Sequence, residues 1–322
     1  IDTLPNVNED NKNYSDFICG DNGVLRYWLS MGASGFRLDV ADELPDSFLD
    51  RLCRCVKGYS TDKIILGEVW EDASNKESYG VKRRYLLGQQ LDSVMNYPFK
   101  DAIISYMKGG SAQTFKDWIM TILENYPKPS IDCLMNFLST HDIMRAITNF
   151  GGDSAEGKSK DWQAEHYLSA EQYNHGKSIF KCAMALQFFL PGVPCVYYGD
   201  EAGLQGYGDP FNRRCYPWGN EDTDLIDYVR YLSAIRKELS EYILGKCEFV
   251  CCNDYIVSFL RYNKDEDKCV LIVMNKSNDY YDLKLSETIL SDAKYVKTYQ
   301  GNIHDKIASI GPKNFLVATF EF

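Results

Sequence analysis

Apolar residues recur along the first three quarters of the chain at two spacings in turn, and each predicts a different element. Val24, Leu25, Trp28 and Leu29 repeat at helical spacing, with Asp21 placed to cap the helix and Gly32 to stop it. Gly35 to Asp42 then reads as a β-strand. Phe48, Leu49, Leu52, Cys53 and Val56 form a second helical stripe that Gly58 ends, and the apolar run from Ile64 to Trp70 follows as a second strand. Leu91 to Tyr97 predicts a third strand, Cys133 to Ser139 a fourth and Pro194 to Tyr198 a fifth. Helices are predicted over Lys100 to Met107, Ala112 to Glu124, a long stretch ending near Leu190, and Asp224 to Leu239, with a polar loop from Gly151 to Asp161. Strands alternating with helices imply a parallel sheet, because each crossover needs a helix and returns on one hand.

From about Cys247 the pattern changes to short alternating strands without helices: Ile256 to Tyr262, Cys269 to Met274, Tyr281 to Leu285, Tyr295 to Tyr299 and Phe315 to Phe322. The expected organisation is therefore a polar loop over residues 1–20, an α/β domain over 21–243 and an antiparallel β domain over 244–322. No internal repeat or low-complexity tract interrupts it.

Composition narrows the function classes. A formal net charge of -11 over 322 residues argues against a phosphate-backbone partner, whose affinity comes from lysine and arginine. The 23 Tyr, 16 Phe and 5 Trp allow stacking surfaces for an uncharged ring-shaped ligand and are equally consistent with core. Eleven cysteines lie mostly in apolar runs (Cys133, Cys182, Cys195, Cys269) rather than at disulfide or zinc spacings. They read as small core hydrophobes in a reducing compartment. With no apolar run of the ~18 residues a membrane span needs, and no basic-then-apolar leader at Ile1, the expected location is cytoplasmic.

The chemistry concentrates at strand ends. In Gly35 to Asp42, Arg37 and Asp39 share one face and Phe36, Leu38 and Val40 the other. A cation two positions from a carboxylate suits a nucleophile, and equally a structural ion pair. Further acids fall where strands finish: Asp42, Glu68, Asp142, Asp200 and Glu201. In parallel α/β architectures these ends converge on the ligand site. Gathered carboxylates serve glycoside cleavage, with one as nucleophile or base and one as acid. They serve a divalent metal as well, and convergence alone leaves both open.

Three stretches then become recognisable in order: Gly35-Phe36-Arg37-Leu38-Asp39-Val40-Ala41-Asp42, Gly67-Glu68-Val69-Trp70 and Phe137-Leu138-Ser139-Thr140-His141-Asp142. They resemble three signature stretches of the α-amylase family of glycoside hydrolases. Leu4-Pro5-Asn6-Val7-Asn8 is similar to the short motif of its neopullulanase and cyclomaltodextrinase group, and the run from Gly192 to Glu201 resembles the last barrel strand. The resemblance implies a (β/α)8 TIM barrel, of which about five later strands are present, followed by an antiparallel β-sandwich. It implies Asp39 as nucleophile, Glu68 as general acid and base, and Asp142 as the carboxylate that holds the sugar hydroxyls. Arg37 would orient Asp39, and His141 would hydrogen-bond the sugar. Asp209 and Arg213 resemble a pair that binds a glucose unit, and Trp70 would stack on a ring or pack against its strand. Asp200 and Glu201 read as structural.

The family's first motif, ending in Asn-His after a strand, has no counterpart. Asn174-His175 has Ala170 where an Asp belongs and sits in a polar lead-in to a helix. No cofactor is identified. Calcium is common in the family, but an Asn of that first motif usually contributes to its site, so no metal ligand is assigned. A sheet cut before its fourth strand exposes unpaired edges, so the chain reads as the later portion of a longer enzyme. Its expected partners are an α-glucan substrate and either a companion N-terminal segment or a second copy that completes the barrel, with no nucleic acid or membrane. The leading expectation is a retaining hydrolase of α-glucans, maltooligosaccharides or cyclodextrins. A transglycosylase or isomerase of the same fold and a non-catalytic fragment are the alternatives.

Overall fold

The computed structural model describes residues 5–322. Leu4 of the short motif lies outside them, and Pro5 to Asn8 belong to no helix or strand. The chain divides into two compact units, Ile1–Pro98 with Thr121–Met135, and Phe99–Met120 with Asn136–Phe322.

The first unit opens on α1 (Lys12–Cys19), where a loop was expected. Asn11, one of the residues that gave this stretch its loop-like polarity, caps it by accepting from the Asn13 and Tyr14 N–H groups. Only Ser15 and Cys19 of α1 are buried, too few to give a helical stripe. α2 (Val24–Ser30) follows, with Gly23 rather than Asp21 at its N-cap and no side-chain cap bond. Then come β1 (Gly35–Leu38), a 3-10 turn at Ala41–Glu43, α3 (Asp46–Tyr59), β2 (Ile64–Gly67), β3 (Glu77–Ser78), β4 (Val81–Lys82) and β5 (Ser93–Val94). β1, β2 and β5 form a parallel sheet in that order, with Gly35 beside Ile64, Leu38 beside Gly67, and Leu66 beside Ser93. Met95 continues it by bridging to Met135 in parallel.

α4 (Tyr97–Met107), α5 (Ala112–Asn125), α6 (Lys128–Asp132) and β6 (Met135–Asn136) come next in the chain. The expected strands at Leu91 to Tyr97 and Cys133 to Ser139 shrink to Ser93–Val94 and Met135–Asn136, the one at Pro194 to Tyr198 is Val193–Pro194, and the first two end at Leu38 and Gly67 rather than at Asp42 and Trp70. The apolar pattern marked burial rather than pairing: Leu91, Phe137 and Leu138 are buried although none lies in a ladder.

The second unit adds α7 (Ala146–Gly151), α8 (Lys160–Glu165), α9 (Ala170–Phe189), β7 (Val193–Pro194) and α10 (Thr223–Glu238). Ser169 and Gln172 close a capping box at the start of α9, so Asn174-His175 lies inside that helix rather than in a lead-in. Beyond α10, β8 (Cys247–Cys252), β9 (Ile256–Tyr262), β10 (Lys268–Asn275), β11 (Tyr281–Lys284), β12 (Lys294–Gln300), β13 (Asn302–His304), β14 (Ile307–Ile310) and β15 (Asn314–Glu321) make two sheets. Their orders are β12-β15-β10-β9-β8 and β11-β14-β13, and every pairing is antiparallel. Leu260, Leu271, Val273, Leu316 and Ala318 of the first sheet meet Leu283, Ala308 and Ile310 of the second in one core, the period-2 alternation of a sandwich. On its other face β9 is also covered, and Arg261 there donates to the Phe189 and Ile243 carbonyls.

The fold is thus an α/β region built on a partial, unclosed barrel-type sheet, followed by an antiparallel β-sandwich. All eleven cysteines are free: Cys19, Cys53, Cys55, Cys182 and Cys269 are buried, and Cys215 is exposed. Among the described residues no helix is long and apolar enough to cross a membrane.

Candidate active site

In the first unit the register of β1 on β2 decides what meets. Leu38 stands beside Gly67, so the chain leaves the two strands side by side at Asp39 and Glu68. The Glu68 N–H donates to the Leu38 carbonyl at 3.0 Å, and the Ala41 N–H to the Glu68 carbonyl at 3.2 Å. Gly35 permits this closeness, and Gly67 makes room for Leu91. A Cβ on Gly35 would stand 2.0 Å from the Ile64 carbonyl oxygen, and one on Gly67 2.5 Å from Leu91 Cδ1.

Arg37 spans both carboxylates. Its Nη1 hydrogen-bonds Asp39 Oδ1, and its Nη2 lies 3.0 Å from Glu68 Oε2 as an ion pair without hydrogen-bond alignment. The Asp39 side chain is 77% exposed and that of Glu68 only 7%. One carboxylate therefore faces solvent while the other is enclosed. Glu68 is also held by two neutral donors, the Val40 N–H to Oε2 at 2.8 Å and the Trp70 indole to Oε1 at 3.0 Å. Val40 donates from a left-handed conformation, φ 41°, a costly one for a β-branched residue. Trp70 does pack, with its ring stacked on Tyr97 at 4.4 Å and 13°, and it stays 46% exposed.

The second unit gathers the other expected residues. His141 Nε2 lies 3.1 Å from Asp142 Oδ2, and Arg213 Nη2 lies 3.5 Å from Asp142 Oδ1. Arg213 Nε donates to the His141 carbonyl at 3.0 Å and pairs with Asp209 Oδ1 at 2.7 Å. His141, Asp142, Asp209 and Arg213 thus form one group at the surface, joined by ion pairs and one hydrogen bond.

Beneath them is a residue that the sequence reading missed. Arg145 is fully buried, its Nε donates to the Asn212 carbonyl at 2.8 Å, and its Nη1 bonds both the Tyr198 carbonyl at 2.5 Å and Asp200 Oδ1 at 2.9 Å. Its guanidinium also lies over the Tyr197 ring, 4.0 Å from the centroid. Asn212, itself buried, donates to the Thr140 and Ile143 carbonyls. The available signal was a lone cation inside Ile143-Met144-Arg145-Ala146-Ile147. Burial pushes the Asp200 carboxyl up to about 6, against the pull of Arg145 and a Ser139 hydrogen bond. Asp200 is the ion-pair partner of a buried cation. Among the described residues no group of three or more His, Cys, Asp or Glu could hold a metal ion.

A family model described as the alpha-amylase catalytic domain matches residues 2–281. The chain belongs to the α-amylase family. An amylopullulanase of Thermoanaerobacter thermohydrosulfuricus is 33% identical over 312 residues, which cover 86% of this chain and 20% of the relative. A cyclomaltodextrinase of Geobacillus thermopakistaniensis is 32% identical over 261 residues, 80% of this chain and 39% of the relative. The chain therefore spans well under half the length of these relatives. The α-amylase of Geobacillus thermoleovorans, solved in complex with acarbose, shares the fold at a TM-score of 0.78 and 20% identity, over 100% of this chain and 67% of that one.

Proposed function

We propose that the chain carries the catalytic residues of an α-glucan hydrolase that cleaves α-glucosidic bonds with retention of configuration. The observation that carries this reading is the Arg37 guanidinium shared between Asp39 and Glu68. One guanidinium that reaches both carboxylates keeps them near each other, which supports retaining cleavage, where the two carboxyl groups stand roughly 5–5.5 Å apart. Their unequal exposure supports a division of labour. Asp39, open to solvent, attacks the anomeric carbon. Glu68, enclosed and oriented by Trp70 and Val40, gives its proton to the departing glycosidic oxygen. A glycosyl ester on Asp39 results; Glu68 then takes a proton from water, which attacks the same carbon and releases Asp39.

Asp142 and His141 hold sugar hydroxyls, and Arg213 and Asp209 bind a further glucose unit. Their ion pairs with one another hold these side chains in place, as such contacts need. The amylopullulanase and cyclomaltodextrinase relatives support maltooligosaccharides, cyclodextrins and related α-glucans as substrates. The chemistry belongs to residues 21–243, and 244–322 form a separate β domain.

The test is turnover of a p-nitrophenyl α-maltoside, with the anomer of the first-formed product read by NMR. Asp39→Ala and Glu68→Gln are each expected to lower the rate by about 10²–10⁴-fold. Release of the β-anomer, or an Asp39→Ala chain as active as the parent, overturns the assignment.

A further inference from the structure

Between Glu68 and β5 the chain forms a hairpin that neither the apolar pattern nor the roles above account for. β3 and β4 pair Glu77 with Lys82 and Ser78 with Val81, leaving Tyr79-Gly80 as a two-residue loop. Its φ angles, 54° at Tyr79 and 72° at Gly80, are those of a type I′ turn. Asn or Gly suits the first position; a bulky aromatic there is strained. The side chain gains no burial in return, because Tyr79 is 77% exposed. Strain held at an exposed aromatic points to what the ring does rather than to how the turn folds.

The hairpin is fixed to the loop that follows Asp39. The Tyr79 hydroxyl donates to Glu43 Oε2 at 2.5 Å, the Ser78 hydroxyl donates to the Asp42 carbonyl at 3.1 Å, and Lys76 Nζ lies 3.0 Å from Asp42 Oδ2. Behind it, the Tyr85 hydroxyl donates to Asp42 Oδ1 at 2.6 Å. Asp42 and Glu43 sit in the 3-10 turn three and four residues past Asp39. The exposed ring is thus tethered through its hydroxyl to the turn that follows Asp39, on the segment that follows Glu68.

We propose that Tyr79 is a binding residue for a glucosyl ring of the α-glucan, and that Glu43 sets the angle of its ring. This rests on the function proposed above. A glucose ring presents C–H bonds on its faces and hydroxyls around its rim. It matches an aromatic face flanked by a carboxylate, the pairing seen here. Tyrosine loses little conformational freedom on binding, and a ring already tethered through its hydroxyl loses less.

Calorimetric titration of the chain with maltose and with maltoheptaose tests this, using Tyr79→Asn and Tyr79→Phe. Asn places the preferred residue in the turn, so Tyr79→Asn is expected to melt at the same temperature or higher. It is expected to bind maltoheptaose about two- to tenfold more weakly while maltose binding stays unchanged. Tyr79→Phe keeps the ring and most of the affinity. Equal maltoheptaose binding by the parent and Tyr79→Asn overturns the role of Tyr79 and leaves the α-glucan reading standing. A Tyr79→Asn chain that melts lower makes the ring structural and overturns it too. Absence of maltoheptaose binding by the parent overturns both.

Discussion

Replacing Asp200 by Asn isolates the energetics of the buried pair beneath the surface group of the second unit. Asp200 is 4% exposed and its partner Arg145 fully buried. Burial raises the Asp200 carboxyl from its ordinary 3.8 to about 6, with Arg145 and Ser139 opposing. The folded chain therefore binds this proton more tightly than the unfolded chain. Stability contributed by the site is fully present below pH 3.8 and is lost as the pH rises through 6. At about 1.4 kcal/mol per pH unit, the whole window amounts to ~3 kcal/mol, of which about 2 kcal/mol falls between pH 4 and pH 7. Asn cannot titrate, so Asp200→Asn lacks this slope. Urea unfolding of both chains at pH 4 and pH 7 measures it. The stability of the parent relative to the variant is expected to fall by about 2 kcal/mol from the lower pH to the higher. Parallel pH dependence of the two chains would refute the reasoning, since it would mean that Asp200 titrates alike in the folded and unfolded states.

Two other substitutions probe the first unit. Arg37→Lys supplies one point charge where two nitrogens now reach two carboxylates, so maltoside turnover is expected to fall about 10²-fold with unchanged circular dichroism; turnover within twofold of the parent would show that the shared guanidinium does not matter. Gly35→Ala sets a methyl 2.0 Å from a backbone oxygen of β2, which cannot swing aside. A loss of about 3 kcal/mol or more is expected in urea unfolding, and an unchanged midpoint would contradict the packing described.

What the sequence disclosed follows from what each kind of signal records. The stripes that become α3 and α10, and the alternation that becomes β9 and β10, are driven by burial, and they lie within a residue or two of their observed limits. α1 and the β3–β4 hairpin bury little and left no stripe to find. In the site, the pairing of Arg37 with Asp39 was expected from a strand running to Asp42; β1 ends at Leu38, and the two meet just past it through Arg37 Nη1. The approach of Glu68 to the same guanidinium was not expected, because it depends on the register of β1 against β2. Arg145 was overlooked because an arginine in an apolar run announces itself only through its partners, and these come from Tyr198, Asp200 and Asn212, more than fifty positions downstream.

Trp70 gives the molecule a gauge of its own. One edge of the indole donates to Glu68 and one face lies on Tyr97, while nearly half of the residue remains open to solvent. Its excited state is therefore coupled to the charge on that carboxylate and to whatever displaces water from its open face. Ultraviolet emission can then follow ligand arrival in real time, with no label attached, once Trp70→Phe has identified which part of the signal is its own.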